Sequence, residues 1–218
     1  MPTSDYHHLT DVLHVLEQLR PASLLEIGIG HGKWGVMCRD ALETLQGKLS
    51  PEAWTTRIDG IEIFERYRNP LWAYAYNQVR VGDALTLVRD LPHYDVILCS
   101  DVIEHVPQPQ GLAFVRALLE HAEIVILTTP RGDFPQPALG GNPHEEHVSR
   151  WAIRDFSAIP HQAKVIGCTF LVVLARDARS LKRVDLWHPL DVRGVRGYLL
   201  ELGRYLVWRL TWRFRARA

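Results

Sequence analysis

The chain has 218 residues, of which 47% are hydrophobic and 23% are charged, and its formal net charge is zero. These values are typical of an ordinary globular domain and argue against a protein that binds polyanions over its whole surface. The cysteines at 38, 99 and 168 fit neither disulfide nor metal-ligand spacing, so we expect reduced thiols. We find neither a secretion signal nor an apolar run of about 20 residues and therefore expect a cytoplasmic protein.

Strand and helix patterns alternate along the first 177 residues. Apolar residues at helical spacing precede Pro21 and recur between the strands, and Pro70 suits the first turn of one helix. The alternation predicts an α/β fold with a doubly wound, mostly parallel seven-stranded sheet. An antiparallel hairpin that turns near Gly167 and Cys168 would close it. Strands are expected at 23–29, 57–63, 79–83, 94–100 and 123–129, with two more within 163–176, and a further helix at 148–156.

The first strand runs into the sequence E-x-G-x-G-x-G at residues 26–32. A dinucleotide-binding loop requires a glycine where Lys33 stands. A triphosphate-binding loop requires a glycine in place of Ile27 and a hydroxyl in place of Trp34. Both phosphate-binding interpretations therefore fail, and the glycines must admit a different ligand.

This motif resembles the first motif of the class I S-adenosylmethionine-dependent methyltransferases, of the type 11 and type 12 kind. Three later strand ends, D-G-I-E-I, V-G-D-A-L and Y-D-V-I-L-C-S-D-V-I-E-H-V, are similar to the family's next motifs, and the resemblance covers residues 5–176. It implies that S-adenosylmethionine is the cofactor. The cofactor-binding residues that it implies are Glu26, Gly28, Gly30, Gly32, Glu62, Ile63, Asp83, Ala84, Ser100, Asp101 and Val102.

The resemblance also assigns roles to these positions. Glu26 supplies an anion near the ammonium end of the ligand, and Glu62 accepts both ribose hydroxyls. Ile63 forms an apolar wall for the adenine, Asp83 lies near its amino group, and residues 100–102 line the sulfonium side. Three structural alternatives stay open: the last glycine of the motif lets a helix pack on the sheet, Glu62 is a solvated carboxylate at a strand end, and Asp83 caps a helix.

Histidines are the candidate catalytic residues. A hydroxyl acceptor needs a base, and histidine has a suitable intrinsic pKa. His105, after the fourth strand, and His147, in the loop after the fifth, are the two candidates, with His144 next in order. The alternative is that His105 only fixes a loop through hydrogen bonds.

The same residues suggest a metal-dependent alternative. Asp101, Glu104 and His105 form D-x-x-E-H, and His147 precedes Trp151 by four residues. This is similar to the metal-dependent 2′-O-methyltransferases of small-RNA 3′ ends, which use E-x-x-E-H with a later H-x-x-x-W. Because the first glutamate is replaced by a shorter aspartate, we predict no catalytic metal. We expect a small hydroxylated acceptor, such as a sugar or another biosynthetic intermediate, because the first 177 residues carry a net charge of about −7, which disfavours nucleic acid.

The last 41 residues differ in character. Residues 178–218 carry a net charge of about +7, so we place a domain boundary after residue 177. Apolar residues from 195 to 206 share one helical face, and tryptophans alternate with arginines beyond it. Such a basic amphipathic helix suits an inner membrane surface, a partner protein or a second copy of the chain. The alternative is that it folds back on the acidic residues 1–177, because the two regions attract each other. A further alternative for the whole chain is a methyltransferase-like scaffold without turnover.

Overall fold

The computed structural model describes residues 3–186, which form one mixed sheet flanked by helices. The strands are β1 Ser23–Ile27, β2 Arg57–Glu62, β3 Gln78–Val81, β4 Tyr94–Ser100, β5 Ala122–Pro130, β6 His161–Ile166 and β7 Thr169–Ala175. Their order in the sheet is β3-β2-β1-β4-β5-β7-β6. The pairs among β1–β5 are parallel, and β7 pairs antiparallel with both β5 and β6. The predicted fold class, including the terminal hairpin, is confirmed.

One helix precedes the first strand, and four lie in the connections between the parallel strands. They are α1 Leu9–Leu19, α2 Lys33–Leu42, α3 Pro70–Ala75, α4 Ala84–Leu87 and α5 Gln108–Glu120. Asn69 caps α3 by accepting a hydrogen bond from the amide of Leu71, which satisfies one of the free amides of its first turn. Pro70 follows at the first helical position, where its fixed φ is favourable.

Successive strand residues point to opposite faces of the sheet, and both faces are covered. Leu24 and Leu98 belong to a buried cluster that includes α1, α2 and α3, while Leu25 and Ile97 belong to a second cluster that includes α5. These four side chains are at most 1% exposed. Burying a side chain of this size contributes about 1.5–3 kcal/mol, so the two clusters supply most of the drive for folding. Helices on both faces leave a crevice at the carboxyl ends of β1 and β4, where the connections diverge.

The prediction of a helix at 148–156 is wrong. Only a short 3₁₀ turn forms there, at Ile153–Phe156. The amides of Val148 and Ser149 donate instead to the carbonyl of Glu104, at 2.9 and 3.0 Å. Ala152 in the middle of the span is extended, with φ of −135° and ψ of 153°, and its amide donates to Oδ2 of Asp155 at 2.8 Å, so the helix cannot pass through it.

The described chain continues beyond the last strand. A 3₁₀ turn at Ser180–Arg183 follows β7, and the side chains of Leu181, Val184 and Leu186 are buried in the cluster that contains α1. The boundary after residue 177 stays a prediction, and the amphipathic helix expected at 195–206 lies outside the described residues. None of the helices within residues 3–186 has the length and hydropathy needed to cross a bilayer.

Candidate functional site

A cavity opens at the carboxyl ends of β1, β2 and β4. Ten of the eleven predicted cofactor-binding residues line it; the exception is Gly32. A β-carbon added to Gly32 would lie 3.4 Å from Trp72 and 3.5 Å from Tyr76, so this glycine packs against α3 and its following turn. Its φ of 86° at the N-cap of α2 also favours glycine.

The loop at residues 28–32, called the glycine loop, has left-handed backbone conformations and a side chain packed closely against it. Gly28 and Gly30 have φ values of 73° and 51°, which glycine adopts without strain. A β-carbon on Gly28 would lie 2.7 Å from the side chain of Val102, closer than atoms tolerate. Because Gly28 and Gly30 line the cavity and have no side chains, their backbone atoms form its wall directly. The sequence therefore needs glycine here for both conformation and space.

Glu62 ends β2 and is held by backbone amides. Its Oε2 accepts from the amide of Gly30 at 2.8 Å, and its Oε1 accepts from the amide of Phe64 at 2.9 Å. Burial raises the pKa of Glu62, while these two amides act in the opposite direction. A carboxylate fixed in this way keeps further lone pairs for hydroxyl donors, and Ile63 beside it adds apolar surface to the cavity.

Glu26 is the deepest carboxyl group of the cavity. It is 1% exposed, and the hydroxyl of Tyr76 donates to its Oε2 at 2.6 Å. Burial raises the pKa of Glu26 to about 8, although the Tyr76 hydrogen bond and the charge of Lys33 lower it. The group is therefore protonated at neutral pH until a cation approaches it.

Asp83 caps a helix and also lines the cavity. Its Oδ1 accepts from the amide of Leu85 at 2.9 Å at the start of α4, which is the structural role that the sequence left open. The same side chain and Ala84 belong to the cavity wall. The two roles are compatible, since a capping carboxylate uses only part of its acceptor capacity.

The loop after β4 carries a strained residue. Asp101 has φ of 53°, an uncommon value for a side-chain-bearing residue. Its Oδ1 accepts from the hydroxyl of Thr128 at 2.9 Å, and its backbone amide donates to the carbonyl of Thr128 at 3.0 Å. Ser100 is buried, and its hydroxyl lies 2.8 Å from that of Thr128. The loop is thus tied to β5, which holds the aspartate against the cavity.

His105 and His147 are brought together, but only His105 is among the described residues that line the cavity. Their ring centroids lie 4.8 Å apart. Nδ1 of His105 lies 3.0 Å from the carbonyl of Glu146, and Nδ1 of His147 lies 2.6 Å from that of Phe134. Because a carbonyl only accepts, each Nδ1 carries its proton and each Nε2 keeps its lone pair when the ring is neutral. Burial lowers the pKa of His105 and favours this neutral form.

Glu104 lies beneath the histidines. It is 2% exposed, and the hydroxyl of Thr129 donates to its Oε2 at 3.1 Å. Its Oε1 is buried without a hydrogen-bond partner among the described residues. Burial, followed by the charge of Asp101, raises the pKa of Glu104 well above its usual value. Ligating atoms of Glu104, His105 and His147 lie within 4.8 Å of one another.

A polar group on two loops was missed by the sequence analysis. The hydroxyl of Tyr67 donates to Oε1 of Glu145 at 2.7 Å and accepts from Nδ2 of Asn142 at 3.1 Å. All three residues line the cavity, and so does His144. Two glycines directly before Asn142 indicate a turn in the sequence. Tyr67, however, is 78 residues away from Glu145, so no local sequence pattern indicates their hydrogen bond.

Comparisons with known proteins agree with this geometry. A family model described as a methyltransferase domain matches residues 5–189. Among solved structures, the methyltransferase domain of bacterial CtHen1-CN is 20% identical with a TM-score of 0.52, and the match covers 79% of this chain and all of that one. Magnesium protoporphyrin IX methyltransferase from Synechocystis PCC 6803, solved with bound SAH, is 16% identical with a TM-score of 0.55, at 78% and 84% coverage.

An O-methyltransferase family protein from Burkholderia thailandensis is 11% identical with a TM-score of 0.54, and the match covers 78% of this chain and 55% of that one. No curated protein matches the sequence. At these identities the structural neighbours establish the fold, and the family model establishes the membership. The chain therefore belongs to the methyltransferase-domain family and is a class I enzyme that uses S-adenosylmethionine.

Proposed function

We propose that this methyltransferase O-methylates a small hydroxylated acceptor, such as a sugar or another biosynthetic intermediate. The cofactor supplies an already activated methyl group. The protein must therefore align the acceptor hydroxyl and remove its proton. The observation that carries the proposal is the His105 imidazole at the cavity wall, with its Nδ1 held by a carbonyl oxygen.

His105 has the properties of a general base. The hydrogen bond from Nδ1 to the carbonyl of Glu146 orients the ring and leaves the lone pair on Nε2. Burial lowers its pKa, so the ring is neutral and can accept a proton at pH 7. His147 contacts this ring edge-on at 4.8 Å and limits its rotation, so we assign it a supporting role.

The charge of the cavity supports an acceptor without phosphate or carboxylate groups. Five carboxyl side chains and a single lysine stand among the described residues of its wall, so acidic groups outnumber the lysine even when Glu26 is protonated. An anionic acceptor would meet net repulsion there, and a nucleic acid additionally requires cationic surface to bind. The hydroxyl of Tyr67, the amide of Asn142 and the carboxylate of Glu145 offer both donors and acceptors, which suits a molecule rich in hydroxyls.

The test is turnover with a panel of acceptors. Formation of S-adenosylhomocysteine would be followed with neutral sugars and polyols, the corresponding phosphates, and short single-stranded RNA. We expect turnover with a neutral hydroxylated compound, and a loss of at least about 100-fold in kcat for His105→Gln. His121→Gln is the matched control, because this half-buried histidine follows α5 and is not among the residues of the cavity. Turnover confined to phosphorylated compounds would contradict the proposal.

A second candidate is a metal-dependent 2′-O-methyltransferase of RNA 3′ ends. The specific observation in its favour is the cluster of Glu104, His105 and His147, with the buried Oε1 of Glu104 unpartnered among the described residues. A carboxylate and two imidazoles suit a divalent ion such as manganese or iron. Asp101, at the first acidic position of the pattern, instead accepts from the amide of Asp5 at 3.0 Å and from a threonine hydroxyl.

A chelator separates the two candidates. We expect turnover to persist in EDTA, because the carboxylate of Asp101 is already engaged by protein donors. Loss of turnover in EDTA that manganese restores, together with turnover on single-stranded RNA, would establish the second candidate. Glu104, His105 and His147 would then hold the ion.

A further inference from the structure

The chain before α1 runs across the site. We call residues Thr3–His8 the N-terminal strap. Thr3 and Ser4 are part of the cavity wall, next to residues of the glycine loop and of the loop after β4. None of the strap residues belongs to the motifs that indicate cofactor binding.

Lys33 holds the strap from the glycine loop. Its ammonium donates to the carbonyl of Ser4 at 2.6 Å and to that of Asp5 at 3.4 Å. Next to it, Nε1 of Trp34 donates to the hydroxyl of Ser4 at 2.9 Å. Hydrogen bonds from a charged donor are about twice as strong as neutral ones, so Lys33 makes the strongest of these attachments.

Asp101 holds the strap from the other side of the crevice. The amide of Asp5 donates to Oδ2 of Asp101 at 3.0 Å. The strap therefore spans the gap between the ends of β1 and β4, where the sheet opens. Because the sulfonium side of the cofactor is assigned to residues 100–102, the strap lies at the methionine end of the cavity.

His8, the last residue of the strap, is buried, whereas residues 3–7 are exposed or half-buried. His8 is 0% exposed, and its Nε2 lies 3.3 Å from the hydroxyl of Ser100 and 3.4 Å from that of Thr128. Tyr6, by contrast, is 72% exposed. A segment that is held by hydrogen bonds and buries little apolar surface opens locally at low cost. His8 thus marks the pivot, and the residues before it are free to lift once their hydrogen bonds break.

We propose that the N-terminal strap is a gate over the methionine end of the cofactor cavity and that Lys33 is the positioning residue that keeps it closed. The strap lifts to admit the cofactor and to release S-adenosylhomocysteine. Between these events it excludes water from the methyl group. The inference rests on the cofactor and needs no knowledge of the acceptor.

Rapid-mixing kinetics of S-adenosylhomocysteine binding test the gate. This ligand carries an ammonium and a carboxylate at the end that lies near Lys33, which lines the cavity. A direct effect of the lost charge is therefore expected in the dissociation rate constant, and the association rate constant reports the gate. A variant that loosens a gate raises both the association and the dissociation rate constants, whereas loss of a ligand contact raises only the dissociation rate constant. For Lys33→Met we expect both constants to rise about tenfold, the order expected for hydrogen bonds from a charged donor. Lys33→Arg, which keeps charged donors, should stay within about threefold of the wild type.

Asp5→Pro provides an independent variant, since it removes the amide that binds Asp101. Both rate constants should rise again, while the melting temperature and circular dichroism stay close to those of the wild type. Association rate constants within about twofold of the wild type in both folded variants would overturn the proposal, as would a rise confined to dissociation. These measurements do not use turnover, so a failure of the acceptor assignment leaves them interpretable.

Discussion

Cofactor binding is expected to expel a proton from Glu26. Its carboxyl group is buried in the cavity wall, and burial raises its pKa to about 8 from an ordinary value of 4.5. At pH 7 about nine-tenths of the groups are then protonated in the free protein. An ammonium group beside it favours the carboxylate and lowers the pKa. If Glu26 receives the ammonium end of the ligand, as its position implies, binding at pH 7 should release about 0.9 proton.

Calorimetry in buffers with different ionisation enthalpies measures this proton directly. The binding enthalpy of S-adenosylhomocysteine at pH 7 should differ between phosphate and Tris by the amount that transfer of about 0.9 proton requires. Glu26→Gln mimics the protonated form and should remove most of the dependence on buffer. Glu17→Gln, on the exposed face of α1, should leave it unchanged. Enthalpies that do not depend on the buffer would refute the assignment, and a dependence that persists in Glu26→Gln would place the proton on another group.

The same shift predicts how stability varies with pH. Because the folded-state pKa of Glu26 lies above its ordinary value of 4.5, its contribution to stability is complete below about pH 4.5. The contribution is lost as the pH rises through about 8. The melting temperature of Glu26→Gln relative to the wild type should therefore increase between pH 5 and pH 8.5. A difference that stays constant over this range would contradict the raised pKa.

Three further predictions concern other parts of the molecule. Glu62→Ala should weaken S-adenosylhomocysteine binding by about 2–4 kcal/mol in a calorimetric titration, since two charge-assisted hydrogen bonds to the ribose are lost. Glu65→Ala, at an exposed neighbouring residue, is the control and should change the dissociation constant by less than about threefold. In the same titration His105→Ala should keep the affinity within about threefold, because its role is in turnover. Deletion of 187–218 should leave a folded protein that binds this ligand. Deletion of 178–218 should lower the melting temperature further, because it removes three buried apolar side chains.

The fold was predictable because the signals that define it are local. Alternating apolar strands and helices indicated the parallel sheet, and the turn at Gly167 between two apolar runs indicated the hairpin. Glycines and acids at strand ends marked the site, since the carboxyl ends of parallel strands meet at one edge of the sheet. Ten of the eleven residues proposed on this basis share one cavity, and Gly32 has a packing role.

The features that could not be predicted from the sequence depend on contacts between residues that are far apart in the chain. The partner of Glu26 is Tyr76, which is 50 residues away. The strap contacts Asp101 across 96 residues, and no periodicity indicates such a bond. The helix expected at 148–156 fails for the same reason, since Trp151 in its middle forms a β-bridge with the distant Arg131 and Ala152 is extended. Tertiary hydrogen bonds of this kind override local preference.

The most direct test of the account is a crystal structure of the complex with S-adenosylhomocysteine. The account predicts the ribose hydroxyls within hydrogen-bond distance of the Glu62 carboxylate and the adenine beside Ile63. It predicts the amino-acid end of the ligand between the glycine loop and residues 100–102, with its ammonium near Glu26. Ligand density outside this cavity, or a ribose without contact to Glu62, would contradict it.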